Sequence, residues 1–314
     1  MYFKNAQRGT NEWFLYVALL VAVFIATQLG TLLSYSYIEL AIKNDPTLGT
    51  KEVDNFFANP DFTLFGIDSN FGFFLLLVPF VCGFIMFYFA FPILHKRAFV
   101  SLISWNNKLD WNRVFFGFIL WFILGSLMHV VNYFQNPNIF SFQFELQKFL
   151  PLLILSLLIL PLQTSLEEFV FRSYLLQGIG NIEIGVSKNI MIIGAWLITS
   201  ILFGMVHMSN PEVQSYGIVP MMVYYIGAGL FLGLITIWDN RLELALGVHA
   251  ATNFISAVFV GYNGAAIQTD SLFKISELNV WFAAIGFYVL AIIFTFVCRS
   301  KYSWGQLLKP ALTT

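Results

Sequence analysis

The chain has 314 residues, 58% of them hydrophobic and only 11% charged, and its mean hydropathy is +0.76. Soluble domains are about half apolar and about a quarter charged, so a soluble globular enzyme and a disordered chain are both excluded. Sixteen Lys and Arg against 17 Asp and Glu leave a net charge of -1, which excludes nucleic acid as a partner held by a basic face. The remaining class is an all-α polytopic membrane protein, whose first partner is the lipid bilayer.

A spanning helix takes ~20 apolar residues, and the apolar runs predict a bundle of about eight. In chain order they cover 13–35, 71–94, 114–131, 149–178, 188–207, 216–238, 242–262 and 280–298. The first run is too long for the apolar part of a cleaved leader and reads as a span. The longest stretch between spans is 36–70, rich in Pro, Gly, Asn and Asp. The sixth and seventh runs are split only by Asp239-Asn240-Arg241, a tight helical hairpin. No repeat or second domain is visible, so residues 1–314 read as one integral membrane domain with a motif-bearing core at about 149–262. Cys82 and Cys298 lie inside apolar runs and read as packing or lipid-facing residues.

Basic residues set the orientation. Lys4, Arg8, Lys96, Arg97, Lys108, Arg113, Arg172, Lys188, Arg241, Arg299, Lys301 and Lys309 fall on one side, twelve in all; Lys43, Lys51, Lys148 and Lys274 fall on the other. Both termini are therefore expected in the cytoplasm, in the cell membrane. Trp13, Trp105, Trp111, Trp238, Trp281 and Trp304 fall at helix ends, as an interfacial belt requires. His95, beside Lys96 and Arg97, reads as part of the positive-inside signal, and His129 as structural.

Ionisable groups at membrane depth cost roughly 2.5–3.5 kcal/mol each on insertion scales, and here they concentrate on three runs. The fourth holds Glu167, Glu168 and Arg172, the fifth ends in His207, and the seventh holds His249 and Asn253. Glu168 and Arg172 are four apart and can pair on one helix face. Glu167 is rotated ~100° from Glu168 and is expected to lack such a local partner. His249 and Asn253 share a face, and Phe203 lies one turn beneath His207. From Arg241, His249 looks shallower than Glu167 and His207, so either the hairpin sits deep or a helix bends. A carboxylate and an imidazole around a water are the parts of a hydrolase. A second imidazole with an amide can donate to the oxyanion of a tetrahedral intermediate.

These residues also carry a resemblance. Glu167-Glu168-Phe169-Val170-Phe171-Arg172 reads EExxxR, Phe203 to His207 reads FxxxH, and His249 to Asn253 reads HxxxN. Three such motifs in this order on consecutive apolar segments resemble the CPBP family. That family includes the type II CAAX prenyl endopeptidases, the abortive-infection proteins and bacteriocin self-immunity proteins. The resemblance covers 163–253 and implies a glutamate-type intramembrane endopeptidase acting on a peptide or protein at the membrane. By motif position it makes Glu167 the base, His207 a holder of the water, and His249 with Asn253 the oxyanion site. Glu168, Arg172 and Phe203 are supporting.

Zinc is a possible cofactor, with Glu167, His207 and His249 as its ligands. No HExxH is present, and the expectation is a metal-free, Glu/His-activated water with no cofactor required. A transporter or proton relay would also bury Glu, Arg and His, but inverted repeats and matching broken helices are not seen. A non-catalytic immunity protein is the third class.

The charge split makes a topological prediction. Cysteines placed at Asn55 and Thr269 should react with an impermeant maleimide only from outside the cell. Labelling of both from the cytoplasmic side alone would reverse the orientation.

Overall fold

The computed structural model describes residues 2–45, 47–58 and 60–304. Among them, seven helices are long and apolar enough to cross a membrane, so the chain is an all-α, multi-pass membrane protein. The helices are α1 (Trp13–Asn44), α2 (Thr50–Ala58), α3 (Ser69–His95), α4 (Trp111–Gln135), α5 (Leu146–Leu158), α6 (Leu160–Glu168), α7 (Leu176–Gly180) and α8 (Lys188–Val206). Then follow α9 (Pro211–Tyr216), α10 (Ile218–Asp239), α11 (Glu243–Phe254) and α12 (Val280–Tyr302). The expected fourth run is one membrane-length rod, Leu146–Gly180, built from α5, α6 and α7.

Polar side chains mark where several of these helices start. Asp68 accepts from the backbone N–H groups of Asn70 and Phe71 at the head of α3. Asp110 caps α4 through Asn112, and Asn279 caps α12 through Phe282. Each satisfies donors that the first helical turn leaves unpaired. The 36–70 stretch is less open than its composition suggests. α1 continues to Asn44, and α2 and a 3-10 turn at Phe62–Phe65 fold over its end.

The seventh expected span is the one that differs most. Its helical part, Glu243–Phe259, is a shorter apolar helix, about 25 Å long at 1.5 Å per residue. It nonetheless runs from one end of the bundle to the other. At its start, Leu242 donates to the Ile103 carbonyl. That same end gathers Asn5, bonded to the carbonyls of Ser101 and Ser104, and Asn181, bonded to the carbonyl of Phe3. At its finish, β2 (Val260–Tyr262) pairs in parallel with β3 (Phe273–Ile275), whose other edge takes β1 (Phe140–Phe142) antiparallel. This small sheet, not foreseen from sequence, joins the α4–α5 and α11–α12 connections.

The hairpin that starts this short helix is covered by protein. Asp239, Leu242, Glu243 and Leu244 are all buried. Asp239 takes hydrogen bonds from Arg113 and, at 2.9 Å, from the Trp304 indole. Glu243 accepts from Asp110 N at 3.1 Å and from Arg241 at 2.8 Å. The hairpin is thus covered by protein, as its deep alternative expects, and the fourth run is also irregular, with a break at Ile159 and a π turn after Glu168. Trp304 is thus buried rather than part of the interfacial belt, whereas Trp13, Trp105, Trp111 and Trp281 are exposed as expected. His95 is a second correction. It is fully buried and bridges the Thr10 carbonyl and the Tyr174 hydroxyl, both at 2.8 Å. It is not a surface cation.

Small residues let the helices that carry the site close up. Gly229 and Gly233 of α10 face Ser200 and Trp196 of α8, so their GxxxG spacing serves helix packing within the chain. A Cβ at Gly247 would stand 2.2 Å from the Val114 carbonyl oxygen and 2.7 Å from Phe118 N, backbone atoms of α4. Gly247→Val should therefore force α11 off α4. Overpacking of this kind costs about 1–3 kcal/mol, enough to lower the melting temperature of the purified protein by several degrees. Gly194→Val, where nothing stands within 4 Å, should leave it unchanged.

Candidate active site

The rod that carries the acidic motif is irregular where it matters. Pro161 lies at the start of α6, just beyond the break at Ile159, and proline disrupts the hydrogen bond and clears the carbonyl a turn earlier. Directly after Glu168 the chain forms a π-helical turn, Phe169–Leu175. A second π turn, Ile255–Phe259, directly follows α11 and its HxxxN motif. Such turns re-aim side chains and are frequent at functional sites.

Glu168 and Arg172 form the pair that their spacing predicts, at 3.1 Å, with side-chain exposures of 0% and 2%. Arg172 therefore belongs to this interior cluster and not to the cytoplasmic loop charges. The same Glu168 oxygen also takes His249 Nδ1 at 2.7 Å, a partner not foreseen from sequence because it comes from α11. The Arg172 guanidinium lies 3.8 Å over the Phe203 ring. Phe203 also contacts the rings of His207, at 4.4 Å between centroids, and His249, at 6.1 Å. One aromatic thus lies between the cation and both imidazoles.

His207 terminates α8, and its Nδ1 lies 2.7 Å from the Phe203 carbonyl oxygen, one of the acceptors left over at the helix end. A carbonyl only accepts, so Nδ1 carries the hydrogen and neutral His207 turns a bare Nε2 lone pair to the site. That Nε2 and the Nε2 of His249 each stand 3.8 Å from Glu167 Oε2. Glu167 Oε2 is buried and has no hydrogen-bond partner. Acceptors from α6, α8 and α11 therefore surround one small gap, too wide for direct hydrogen bonds and fit for a bridging donor.

Glu167 has a local partner after all. Gln163, one turn earlier, donates its Nε2 hydrogen to Glu167 Oε1, and its Oε1 accepts from Asn253 Nδ2 at 3.0 Å. Gln163 escaped the sequence reading because it belongs to none of the three motifs; its i−4 spacing from Glu167 was the available signal. Tyr225 was missed as well. Its ring stacks on His207 at 4.4 Å, and its hydroxyl accepts from Asn210 at 3.1 Å. All seven residues singled out by sequence, Glu167, Glu168, Arg172, Phe203, His207, His249 and Asn253, fall in this cluster. Beyond His207, Glu212 ties α9 to the loop after β2 through Ala266 N at 2.7 Å. Burial pushes its carboxyl up from the usual range, against the pull of that N–H.

The donors suit a metal in kind. Both histidines have an acceptor at Nδ1, as zinc-bound histidines do, and for His249 that acceptor is Glu168. Tetrahedral ligands at ~2.1 Å stand ~3.4 Å apart, whereas both carboxylate–imidazole separations here are 3.8 Å. As arranged, no three His, Cys, Asp or Glu side chains among the described residues form a metal site.

Residues 146–255 match the family model described as Type II CAAX prenyl endopeptidase Rce1-like. The chain is also similar to the uncharacterized protein YyaK of Bacillus subtilis (strain 168), 31% identical over 229 residues, which is 70% of this chain and 74% of that protein. The chain belongs to the CPBP family. The Rce1-like match is to CAAX-type intramembrane endopeptidases in general, so the chain is a protease whose substrate is a peptide or protein. The matched region takes in all three CPBP motifs and the gap they enclose. No solved structure matches the chain at a significant level.

Proposed function

We propose that this protease hydrolyses a peptide bond near the C-terminus of a lipid-modified or otherwise membrane-held chain, using a water activated by Glu167 and His207. The observation that carries the proposal is the unpartnered Glu167 Oε2 facing two imidazole Nε2 atoms at 3.8 Å. A water in that gap gives one hydrogen to Glu167 and the other to His207, which leaves its lone pair free for attack. As the water oxygen bonds to the carbonyl carbon, its proton passes to Glu167. The carbonyl oxygen becomes an oxyanion, which Asn253 and His249 stabilise by donating hydrogen bonds. His249 donates there when it carries a proton on Nε2 as well, and Glu168 faces the resulting charge across 2.7 Å. When the tetrahedral intermediate collapses, the C–N bond breaks and Glu167 returns the proton to the leaving amine. The protein works in the cell membrane with both termini in the cytoplasm.

The two adjacent glutamates separate by experiment. Glu167→Gln should abolish cleavage of an internally quenched, farnesylated peptide while the melting temperature stays near wild type. Glu168→Gln should lower both, because removing one partner of a buried ion pair costs about 3–5 kcal/mol and also removes the negative charge that faces His249. A well-folded Glu168→Gln enzyme with no activity, beside an active Glu167→Gln enzyme, would reverse the roles.

Metal independence is part of the proposal. After exhaustive chelation, elemental analysis should find less than stoichiometric zinc and the cleavage rate should persist. Stoichiometric zinc, with activity lost on removal and regained on return, would make Glu167, His207 and His249 ligands.

A further inference from the structure

We propose that Gln163 is a positioning residue that ties the water-activating carboxylate of Glu167 to the oxyanion amide of Asn253; the inference rests on the hydrolytic reading of the site. Gln163 is 8% exposed, and its one amide bridges two helices. Nε2 donates to Glu167 Oε1 and Oε1 accepts from Asn253 Nδ2. The direction of this chain is forced. An ionised carboxylate only accepts, so the amide nitrogen must face Glu167, and the amide oxygen is left for Asn253. An oxygen in turn selects the nitrogen end of the Asn253 amide. One Asn253 N–H is thereby committed and the other is held at a fixed angle, instead of an amide free to turn over.

The placement explains why a bridge is needed. Glu167 stands one residue before the end of α6 and Asn253 one residue before the end of α11, and both helices pass at once into π turns. Regular hydrogen bonding therefore stops holding the two side chains in register where they must cooperate. The other neighbours of Glu167 act on a different part of it. His207 and His249 face Oε2, the atom left for water, and Arg172 is engaged with Glu168. Only Gln163, among the described residues, is bonded both to Glu167 and to Asn253.

A misplacement of ~1 Å costs about 10²-fold in rate, which sets the expected effect. Gln163→Met keeps the length of the side chain and removes both hydrogen bonds. With the full chain in detergent and the farnesylated quenched peptide as substrate, it should lower kcat by about 10²-fold and move KM less than ~3-fold. Asn253→Ala should cost about 10²–10³-fold in the wild-type background, but less than ~10-fold when Gln163 is already Met, because the amide is then no longer aimed. Gln163→Glu covers the case in which the Met variant fails to fold. It keeps the acceptor for Asn253 but sets a second carboxylate against Glu167, so the two compete for one proton and kcat should fall while Asn253→Ala still costs nearly its full amount. A kcat within ~3-fold of wild type for Gln163→Met, or for Gln163→Glu if that is the folded variant, overturns the proposal. So does an equal cost of Asn253→Ala with and without Gln163→Met. An active Glu167→Gln enzyme would instead sink the hydrolytic reading itself, so the two failures are told apart.

Discussion

A carboxylate and a guanidinium, both shut off from water, stand 3.1 Å apart on one turn of the rod at the centre of this bundle. Neither charge is tolerable alone at that depth, and the Glu168–Arg172 pair organises what surrounds it. Glu168 has capacity for a further donor and takes it from His249 of α11. Arg172 has an open face and lays it on Phe203 of α8, a contact worth ~2 kcal/mol where water is excluded. Meeting the needs of one buried ion pair thus draws three helices to a point and places His249 and Phe203 beside the gap that Glu167 and His207 line.

Glu167 shows the opposite use of the same side chain. One residue along the helix, it leaves the ion pair and turns toward the gap between the histidines. One of its oxygens is held by Gln163 and the other is unpartnered. The different surroundings of the two carboxylates follow from ~100° of helical rotation. The same rotation turns the first residue of the acidic doublet toward the gap between the histidines and the second toward the ion pair.

The rest of the bundle serves that meeting point by adjusting depth. α11 is shorter than the other apolar helices, and the hairpin at its start is roofed by the 99–104 turn and Trp304. Buried Asp239 and Glu243 find donors in Arg113, Arg241, Trp304 and a backbone N–H. At the opposite end, the small β1–β3–β2 sheet and the Glu212 clasp hold the loops that follow α11 and α8. Glycines at 117, 229, 233 and 247 let backbones approach where side chains would hold them apart.

Sequence by itself determined the class, the run of apolar helices and seven residues that the fold brings into one cluster. Lipid demands long apolar helices, and it makes any ionisable group inside them conspicuous. Spacing of four along a helix is also a local property, so the Glu168–Arg172 pair and the Phe203–His207 contact were both legible. Contacts between helices far apart in the chain were not. Only the tertiary structure decided that His249 bonds Glu168, that Gln163 joins Glu167 to Asn253, and that His95 and Trp304 are buried partners of polar groups. It also decided how His249 reaches the depth of Glu167, because that depends on a hairpin covered by segments more than a hundred residues away. Hydropathy records how much a residue prefers lipid to water. It does not record a polar group whose partner the fold supplies from another helix, and that partnership is what sets both the burial and the orientation of this site.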